Sequence, residues 1–414
     1  MKFFFPDSLD LIDPSYDFTT EQRSPYRVRQ RDDLYAHEAF GEVPYDGLLV
    51  SRAIVEGAPG ASGKYSFAQR QRLYREGVRR FFRLDRDPLM AKVEVMGDCG
   101  AFTYVRERTP PVTPRQVAEF YATIGVDLGV SVDHVILGYR AENQKSLPGL
   151  DGELDEWRER QRLTLELAEK FLDEVDRLGG PFAPVGVAQG WSGESYRHAV
   201  ERLQEMGYDR VALGGLVPLK TQEIKTVLSA VRPELRLGTE LHLFGISRVA
   251  HIADFAEQGV TSFDSTSPLR QAFKDDRDNY WTASGEAHPA LRVPQSDANP
   301  QLKRRITSGA VDQGAARRLE RASLAAVEAY GAGDATLAST LDAVLEYEAL
   351  LGKGGKSGDY REAYARTLEE RPWRSCSCRI CKELGVHVML YRGAERNRRR
   401  GFHNVWTFNR RIPR

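Results

Sequence analysis

Three cysteines near the C-terminal end of the sequence have the spacing of metal ligands. Cys376, Cys378 and Cys381 lie within six residues, and the 414-residue chain has only four cysteines. A disulfide framework needs partners spread along the chain, so this cluster predicts a metal site in a reducing cytoplasm. With His403, or with the closer His387, the thiolates offer tetrahedral zinc four ligands and no open position, which predicts a structural role. Buried reduced cysteines without a metal are the alternative.

Two carboxylates stand at the ends of predicted strands. Asp98 ends the third strand, in GDCGAF, and Asp264 ends the eighth, in SFDSTSPLR. In a closed barrel, the carboxyl ends of all strands converge on one mouth, so that both side chains can face one substrate. Such a pair can displace a group at a sugar carbon, with one carboxylate as nucleophile and the other as acid and then base. Either residue alone is better explained as a helix cap; their joint placement favours catalysis.

The elements that must position these side chains are short, β-rich apolar runs, most of them followed by an amphipathic stretch. This alternation of predicted strands and helices predicts an α/β fold, a (β/α)8 TIM barrel. An open doubly wound sheet is the competing fold, but no glycine-rich dinucleotide motif follows the first strand. The predicted strands are Lys2–Pro6, Gly47–Val55, Lys92–Gly97, His134–Tyr139, Pro184–Gln189, Arg210–Gly215, Glu240–Gly245 and Val260–Asp264.

The pattern changes after the eighth strand, and three domains are predicted. Residues 1–274 form the catalytic barrel, with a capping box at Thr113. Residues 275–370 form an insertion with a helical hairpin over Ala315–Leu351, broken near Gly331, and a glycine-rich linker at 352–359. Residues 371–414 form a zinc-binding, arginine-rich module that binds nucleic acid.

Charge supports the last assignment. Basic and acidic residues each total 59, but residues 371–414 hold eleven Arg and one Lys against two Glu. Such a local excess predicts contact with phosphates. The sequence has no run of eighteen apolar residues and no secretion signal in MKFFFPDS, so we expect a cytoplasmic protein without a membrane partner.

Together these motifs resemble the guanine transglycosylases, which install 7-deazaguanines in nucleic acid, and in particular the DpdA-like branch associated with DNA rather than tRNA. The opening segment FFFPDSLDLIDPSYDF and RQRDDLYAHE at 29–38 are similar to the DNA branch. The wider family resemblance rests on GDCGAF at 97–102, VAQG at 187–190, LGGL at 213–216, LFG at 243–245, FDSTSPLR at 263–270 and CSCRIC with His403-Asn404.

The resemblance implies a role for each matching residue. Asp264 is the nucleophile that forms a covalent glycosyl-enzyme, and Asp98 handles the protons of the base. Phe102 and Phe244 sandwich the purine, with core packing as the alternative for each. The remaining implied contacts with the base are made by Gln189 and the backbone of Gly215 and Leu216. Apart from the resemblance, the positive charge predicts phosphate contacts for Arg270, Arg396, Arg398, Arg399 and Arg400.

The resemblance also implies a reaction and its partners. The target guanosine flips out of its stack in DNA, and 7-cyano-7-deazaguanine (preQ0) replaces its base. Other proteins of a DNA-modification system are possible partners. The alternatives are guanine exchange in tRNA, a non-catalytic zinc-containing nucleic-acid-binding subunit, and a hydrolytic glycosidase. The sequence also departs from the tRNA enzymes of the family. They have a base-binding Asp at the end of the fourth strand, where this sequence has Gly138-Tyr139-Arg140, and a Ser in the third-strand motif, where it has Cys99.

Overall fold

The structure, a computed structural model, describes residues 1–140, 151–246, 248–274, 277–351 and 360–413. It contains a closed barrel of eight parallel strands. Each strand pairs with its neighbours in chain order, and the eighth pairs with the first to close the ring. The predicted TIM barrel is therefore confirmed. The strands are β1 (Lys2–Pro6), β2 (Gly47–Ser51), β3 (Glu94–Asp98), β4 (Leu128–Val130), β5 (Ala183–Ala188), β6 (Arg210–Leu213), β7 (Glu240–Leu243) and β8 (Val260–Asp264).

The barrel interior is a packed apolar core. Alternate residues of the strands point inward, and the buried ones form a single cluster. Gly47 leaves room for the ring of Phe4, because a Cβ there would stand 2.3 Å from it. Leu128 and Phe244 are partly buried against this cluster. The cluster consists of Phe4, Leu49, Met96, Val130, Val185, Val187 and Ala212.

The prediction of the fourth strand is wrong. The structure places β4 at Leu128–Val130, and residues 131–140 have no regular secondary structure. The first three residues of the run, His134, Val135 and Ile136, are buried by tertiary contacts instead. The His134 amide donates to Thr164 Oγ1 and the Ile136 amide donates to Gln189 Oε1. Side-chain oxygens thus accept the hydrogen bonds that a neighbouring strand would accept in a sheet. The sequence pattern of a short apolar run does not distinguish these two arrangements.

Helices connect the barrel strands. The predicted capping box is confirmed, since Thr113 Oγ1 accepts from the Gln116 amide and Gln116 Oε1 accepts from the Thr113 amide. A short antiparallel ribbon of Gly57–Ala58 and Ala61–Ser62 follows the helix after β2. The helices of this part are Arg52–Glu56, Phe67–Phe81, Pro114–Ile124, Asp151–Arg177, Gly193–Met206, Thr221–Val231 and Ile252–Glu257, with short 3-10 turns at Met90–Lys92, Ala101–Tyr104, Arg232–Glu234 and Val249–His251.

The chain divides into two compact units. The first comprises residues 1–9, 45–266 and 412–414, and the second comprises 10–44 and 267–411. This division differs from the predicted one, because residues 10–44 belong to the second unit and the predicted insertion and zinc module share it. The predicted linker at 352–359 lies outside the described residues.

The second unit is mainly helical. The stretch predicted as a helical hairpin contains two helices: Gly333, which has a left-handed φ of 97°, is the C-cap of the first, and Thr336 caps the second. Within the described ranges, no helix has the length and apolar character needed to cross a membrane. The helices are Ala36–Phe40, Ser267–Lys274, Pro300–Thr307, Gln313–Ala332, Leu337–Ala349, Arg361–Glu370, Pro372–Ser375, Arg379–Leu384, Gly393–Arg410 and the 3-10 turn Gly385–Met389; the paired strands are Tyr280–Trp281 with Ala287–His288 and Leu291–Arg292 with Leu390–Tyr391.

Candidate active site

Asp98 and Asp264 stand at the same end of the barrel. Each is the last residue of its strand, β3 or β8. The Asp98 carboxylate accepts hydrogen bonds from the Ser51 hydroxyl and the Gly100 amide. Burial raises the pKa of Asp98, and the negative charge of Asp264 raises it further. The two carboxylates therefore interact electrostatically, and Asp98 favours its protonated form more than an exposed Asp does.

Asp264 is held by His242 on β7 and by the Gly245 amide, which follows β7. Its Oδ1 accepts a hydrogen bond of 2.9 Å from the Gly245 amide and lies 3.4 Å from His242 Nε2. The other ring nitrogen of His242 lies 2.9 Å from Ser262 Oγ, and both His242 and Asp264 are buried. His242 is not among the site residues predicted from the sequence. The available signal was its place two residues before Phe244 in the predicted strand Glu240–Gly245, since alternate strand residues share a face.

A third buried carboxylate, Asp133, lies beside the pair. Its Oδ2 accepts from Gln189 Nε2 at 2.6 Å, and its Oδ1 lies 3.3 Å from the Cys99 sulfur. Burial raises the pKa of Asp133 to about 7, and the charge of Asp98 adds to this shift. The predicted departure at Gly138–Arg140 is therefore wrong. It depended on the misplaced fourth strand, whereas Asp133 is the acidic residue that follows β4.

Gln189 and the glycines after β6 form one close contact. Gln189 Oε1 accepts from the Ile136 amide at 3.1 Å, so both ends of the buried side-chain amide have partners. A Cβ on Gly214 would lie 2.1 Å from Gln189 Nε2. Gly215 has a φ of +74°, and a Cβ there would lie 2.3 Å from the Ile136 carbonyl oxygen. Only glycine lets the backbone pass so close to this amide.

The two predicted stacking residues differ in their surroundings. Phe102 lies on the turn after β3 and is 56% exposed, which rules out core packing for this ring. Phe244 follows β7, is half-buried and packs against the barrel core. Leu216 is completely buried, so a contact with a base through its backbone stays a prediction. The sandwich of a purine between the two rings also stays a prediction.

The second unit contains the four residues predicted to hold a metal ion, close together in space. The ligand atoms of Cys376, Cys378, Cys381 and His403 all lie within 4.8 Å of one another. His403 Nδ1 lies 3.4 to 3.6 Å from the three sulfurs. Tetrahedral zinc with ordinary bond lengths separates such atoms by about 3.6 Å, so the donor set and its spacing fit this ion.

The second ring nitrogen of His403 decides its orientation. It lies 2.7 Å from the Trp281 carbonyl oxygen, so that its N–H donates there and Nδ1 is left to face the sulfurs. The alternative ligand His387 lies elsewhere, 3.9 Å from Glu328. Among the described residues, His403 is therefore the histidine of this cluster.

Comparison with known proteins places the chain in a family. A family model described as queuine tRNA-ribosyltransferase matches residues 98–300. A DNA-guanine transglycosylase from Salmonella montevideo is 49% identical over 413 residues, which cover 100% of this chain and 96% of that protein. The chain belongs to the guanine transglycosylase family. This transglycosylase is accordingly an enzyme that transfers a guanine base.

Two other relatives of this transglycosylase match over shorter stretches. A queuine tRNA-ribosyltransferase from Shewanella loihica is 32% identical over 120 residues, which cover 28% of this chain and 32% of that protein. A tRNA-guanine(15) transglycosylase from Thermococcus onnurineus is 31% identical over 196 residues, or 46% of this chain and 30% of that protein. The chain thus spans about a third of the length of these two relatives.

The arginines predicted to bind phosphates are mostly interior in the transglycosylase. Arg396, Arg399 and Arg400 are buried, and each donates to carboxylates or carbonyl oxygens of the second unit. A guanidinium group that is buried and already paired is not available to a phosphate, so the prediction is not supported for these three. Arg270 is exposed and Arg398 is partly exposed, and both stay predictions. The charge run is therefore largely a structural network.

Proposed function

We propose that this transglycosylase exchanges guanine in DNA for preQ0 through a covalent intermediate on Asp264. The observation that carries the proposal is the placement of Asp98 and Asp264 at one barrel mouth, where the charge of one raises the pKa of the other. DNA is favoured over tRNA because the relative named for DNA matches the whole chain, whereas the two tRNA enzymes match parts of it.

The first step breaks the bond between C1′ and the guanine nitrogen. An Asp264 oxygen attacks C1′ and forms a glycosyl ester, while guanine leaves with a proton from Asp98. The Gly245 amide and His242 hold Oδ1 of Asp264. This leaves the attacking carboxylate with a defined orientation, which is worth a large part of the rate in displacement reactions.

The second step runs in the opposite direction with a different base. Asp98, now ionised, takes the proton from the ring nitrogen of preQ0, and that nitrogen attacks C1′ and releases Asp264. A carboxyl group can act first as acid and then as base when its pKa is raised toward the working pH, as burial does for Asp98. Water must be excluded from the ester, because its attack would give an abasic site instead of exchange.

Asp133 and Gln189 are placed to read the polar edge of the base. Their hydrogen bond of 2.6 Å orients the carboxylate, and a carboxyl whose pKa is about 7 is able to donate or accept at neutral pH. Phe102 and Phe244 supply aromatic faces, and the backbone at Gly215 and Leu216 supplies further polar groups. The Cys3His cluster holds zinc with a structural role and takes part in no step.

The test is the uptake of labelled guanine. The full-length protein is incubated with labelled guanine and either plasmid DNA or total tRNA; label in DNA alone is expected. Label in tRNA alone would overturn the DNA assignment, and label in neither would favour a non-catalytic binding subunit. Abasic sites would reveal a hydrolase. Asp264→Asn is expected to form no covalent adduct, and base exchange retained by this variant would overturn the nucleophile assignment.

A further inference from the structure

A cavity of about 370 Å³ lies at the carboxyl end of the barrel and has no role in the proposed reaction. Arg52, which follows β2, lines one side, and Cys99 and Thr103, which follow β3, line another. Ser51 and Asp98 are partners in the register of these two strands. The lining residues Arg52 and Cys99 are therefore direct chain neighbours of the Ser51–Asp98 hydrogen bond, and the cavity adjoins the candidate active site.

The cavity has an excess of positive charge. Its lining residues include two arginines, Arg52 and Arg70, and a single acidic residue, Glu56. Glu56 is already occupied, because it pairs with Arg52 at 2.5 Å and accepts a hydrogen bond from the Tyr74 hydroxyl. One positive charge in the lining is left without a counter-ion.

Arg70 carries that charge. Among the residues that the structure describes, the half-buried Arg70 guanidinium has no hydrogen-bond or ion-pair partner, and its Nε is buried without an acceptor. Nε of Arg52 is likewise buried without an acceptor. Burial of a cation costs free energy unless an anion or hydrogen-bond acceptors compensate. A guanidinium group in a cavity is also the side chain that best matches the paired oxygens of a phosphate.

We propose that the cavity between Arg52 and Arg70 binds a phosphodiester of the nucleic-acid strand, next to the guanosine that is exchanged. The proposal rests on the proposed function, since it takes the polymer at this mouth to be the substrate. Arg70 contacts the phosphate directly, and Arg52 does so while it remains paired with Glu56. Free pyrophosphate has the same chemistry and is the alternative source of the anion.

Binding of a short DNA strand tests the proposal. The probe is a fluorescein-labelled oligothymidylate with one central guanine, and its Kd is measured by anisotropy at several salt concentrations. Arg70→Gln is expected to bind about tenfold more weakly. Its slope of log affinity against log salt should be smaller by about 0.7, the value for one phosphate contact on a single strand. Arg70 has no partner in the described structure, so this change breaks no ion pair.

Arg75→Gln is the matched control. Arg75 lies on the same helix, Phe67–Phe81, does not line the cavity and has a side chain 75% exposed. The control removes the same charge and is expected to keep the affinity and salt slope of the wild type. Arg70→Lys is expected to keep the salt slope and lose part of the affinity, because it retains the charge without the planar fork. Equal losses in Arg70→Gln and Arg75→Gln would overturn the proposal.

A second series locates the contact. Each linkage near the guanine is replaced in turn by a neutral methylphosphonate; the wild type should lose affinity at one linkage, and Arg70→Gln should not respond there. If pyrophosphate binds the wild type but not Arg70→Gln, while both bind the oligonucleotide equally, the cavity serves a free anion and the nucleic-acid assignment is overturned. These measurements require no base exchange, so a failure of the wild type to exchange guanine overturns the proposed function and not the pocket.

Discussion

Replacement of Arg400 by Met separates a structural arginine from a phosphate-binding one. Arg400 is completely buried in the helix Gly393–Arg410, and burial lowers its pKa. Its guanidinium group makes four hydrogen bonds, two from each terminal nitrogen. Nη1 donates to the carbonyl oxygens of Val388 at 3.1 Å and Leu390 at 3.0 Å, and Nη2 donates to the carbonyl oxygen of Ala272 at 2.8 Å and to Asn397 Oδ1 at 2.6 Å.

The expected loss of stability follows from these contacts. A hydrogen bond from a charged donor contributes roughly 1.5–3 kcal/mol, and each buried acceptor left without a partner costs about 1–3 kcal/mol. The cost of burying the guanidinium cation, which Met does not carry, offsets part of this loss. For Arg400→Met we expect the free energy of unfolding to fall by about 3–5 kcal/mol.

The assay compares urea unfolding with oligonucleotide binding. Arg398→Met is the control on the same helix: its side chain is 25% exposed and its nearest carboxylate oxygen, on Glu395, is 3.7 Å away. This control should lose less than about 1 kcal/mol, as exposed ion pairs do. If Arg400→Met unfolds at the urea concentration of the wild type but binds DNA less tightly, the side chain contacts phosphate and our account of its burial is refuted.

Three further outcomes are expected. His242→Phe keeps the ring but cannot hold Asp264, so kcat should fall about 10–100-fold with little change in the KM of the free base; a change in KM alone would contradict a positioning role. Asp133 has a pKa of about 7 in the folded protein against 3.8 in the free side chain, so the folded state keeps a proton that the unfolded chain releases between these values. Its contribution to stability is therefore largest below pH 4 and falls by up to about 4 kcal/mol as the pH rises to 7. In melting curves, the stability of the wild type relative to Asp133→Asn should fall as the pH rises from 4 to 7, and a relative stability that does not change with pH would refute this. Purified protein should contain one zinc ion per chain, and Cys378→Ser should release it and lower the melting temperature, whereas full metal content in that variant would exclude Cys378 as a ligand.

Local patterns were enough to predict the barrel and the metal cluster. The strand Lys2–Pro6, for example, contains the apolar run Phe3–Phe5, and the structure places it as predicted. Once eight parallel strands close, their carboxyl ends share one mouth whatever the details of the loops, so the common location of Asp98 and Asp264 follows from their strand-end positions. Cys376, Cys378 and Cys381 are close in sequence and remain close in space.

Other features depended on contacts between distant parts of the chain. The three-residue strand Leu128–Val130 is too short for a periodic signal. Because the fourth strand was predicted at His134–Tyr139 instead, Asp133 was not recognised as a residue of the site. His242 acquires its significance only where β7 meets β8 and its ring reaches Asp264.

The amino-acid sequence by itself determined the (β/α)8 architecture, the strand-end position of each carboxylate and the cysteine cluster, because each depends on a pattern of residues that lie near one another along the chain. The choice of His403 over His387 depended on the tertiary structure. Only the tertiary structure decided which charged groups are buried. Arg396 and Arg400 look like a surface charge run in sequence, yet both are buried, and their terminal guanidinium nitrogens donate to Glu21 and to carbonyl oxygens from remote segments. Burial is a property of packing, and packing is set by contacts that one-dimensional spacing does not contain.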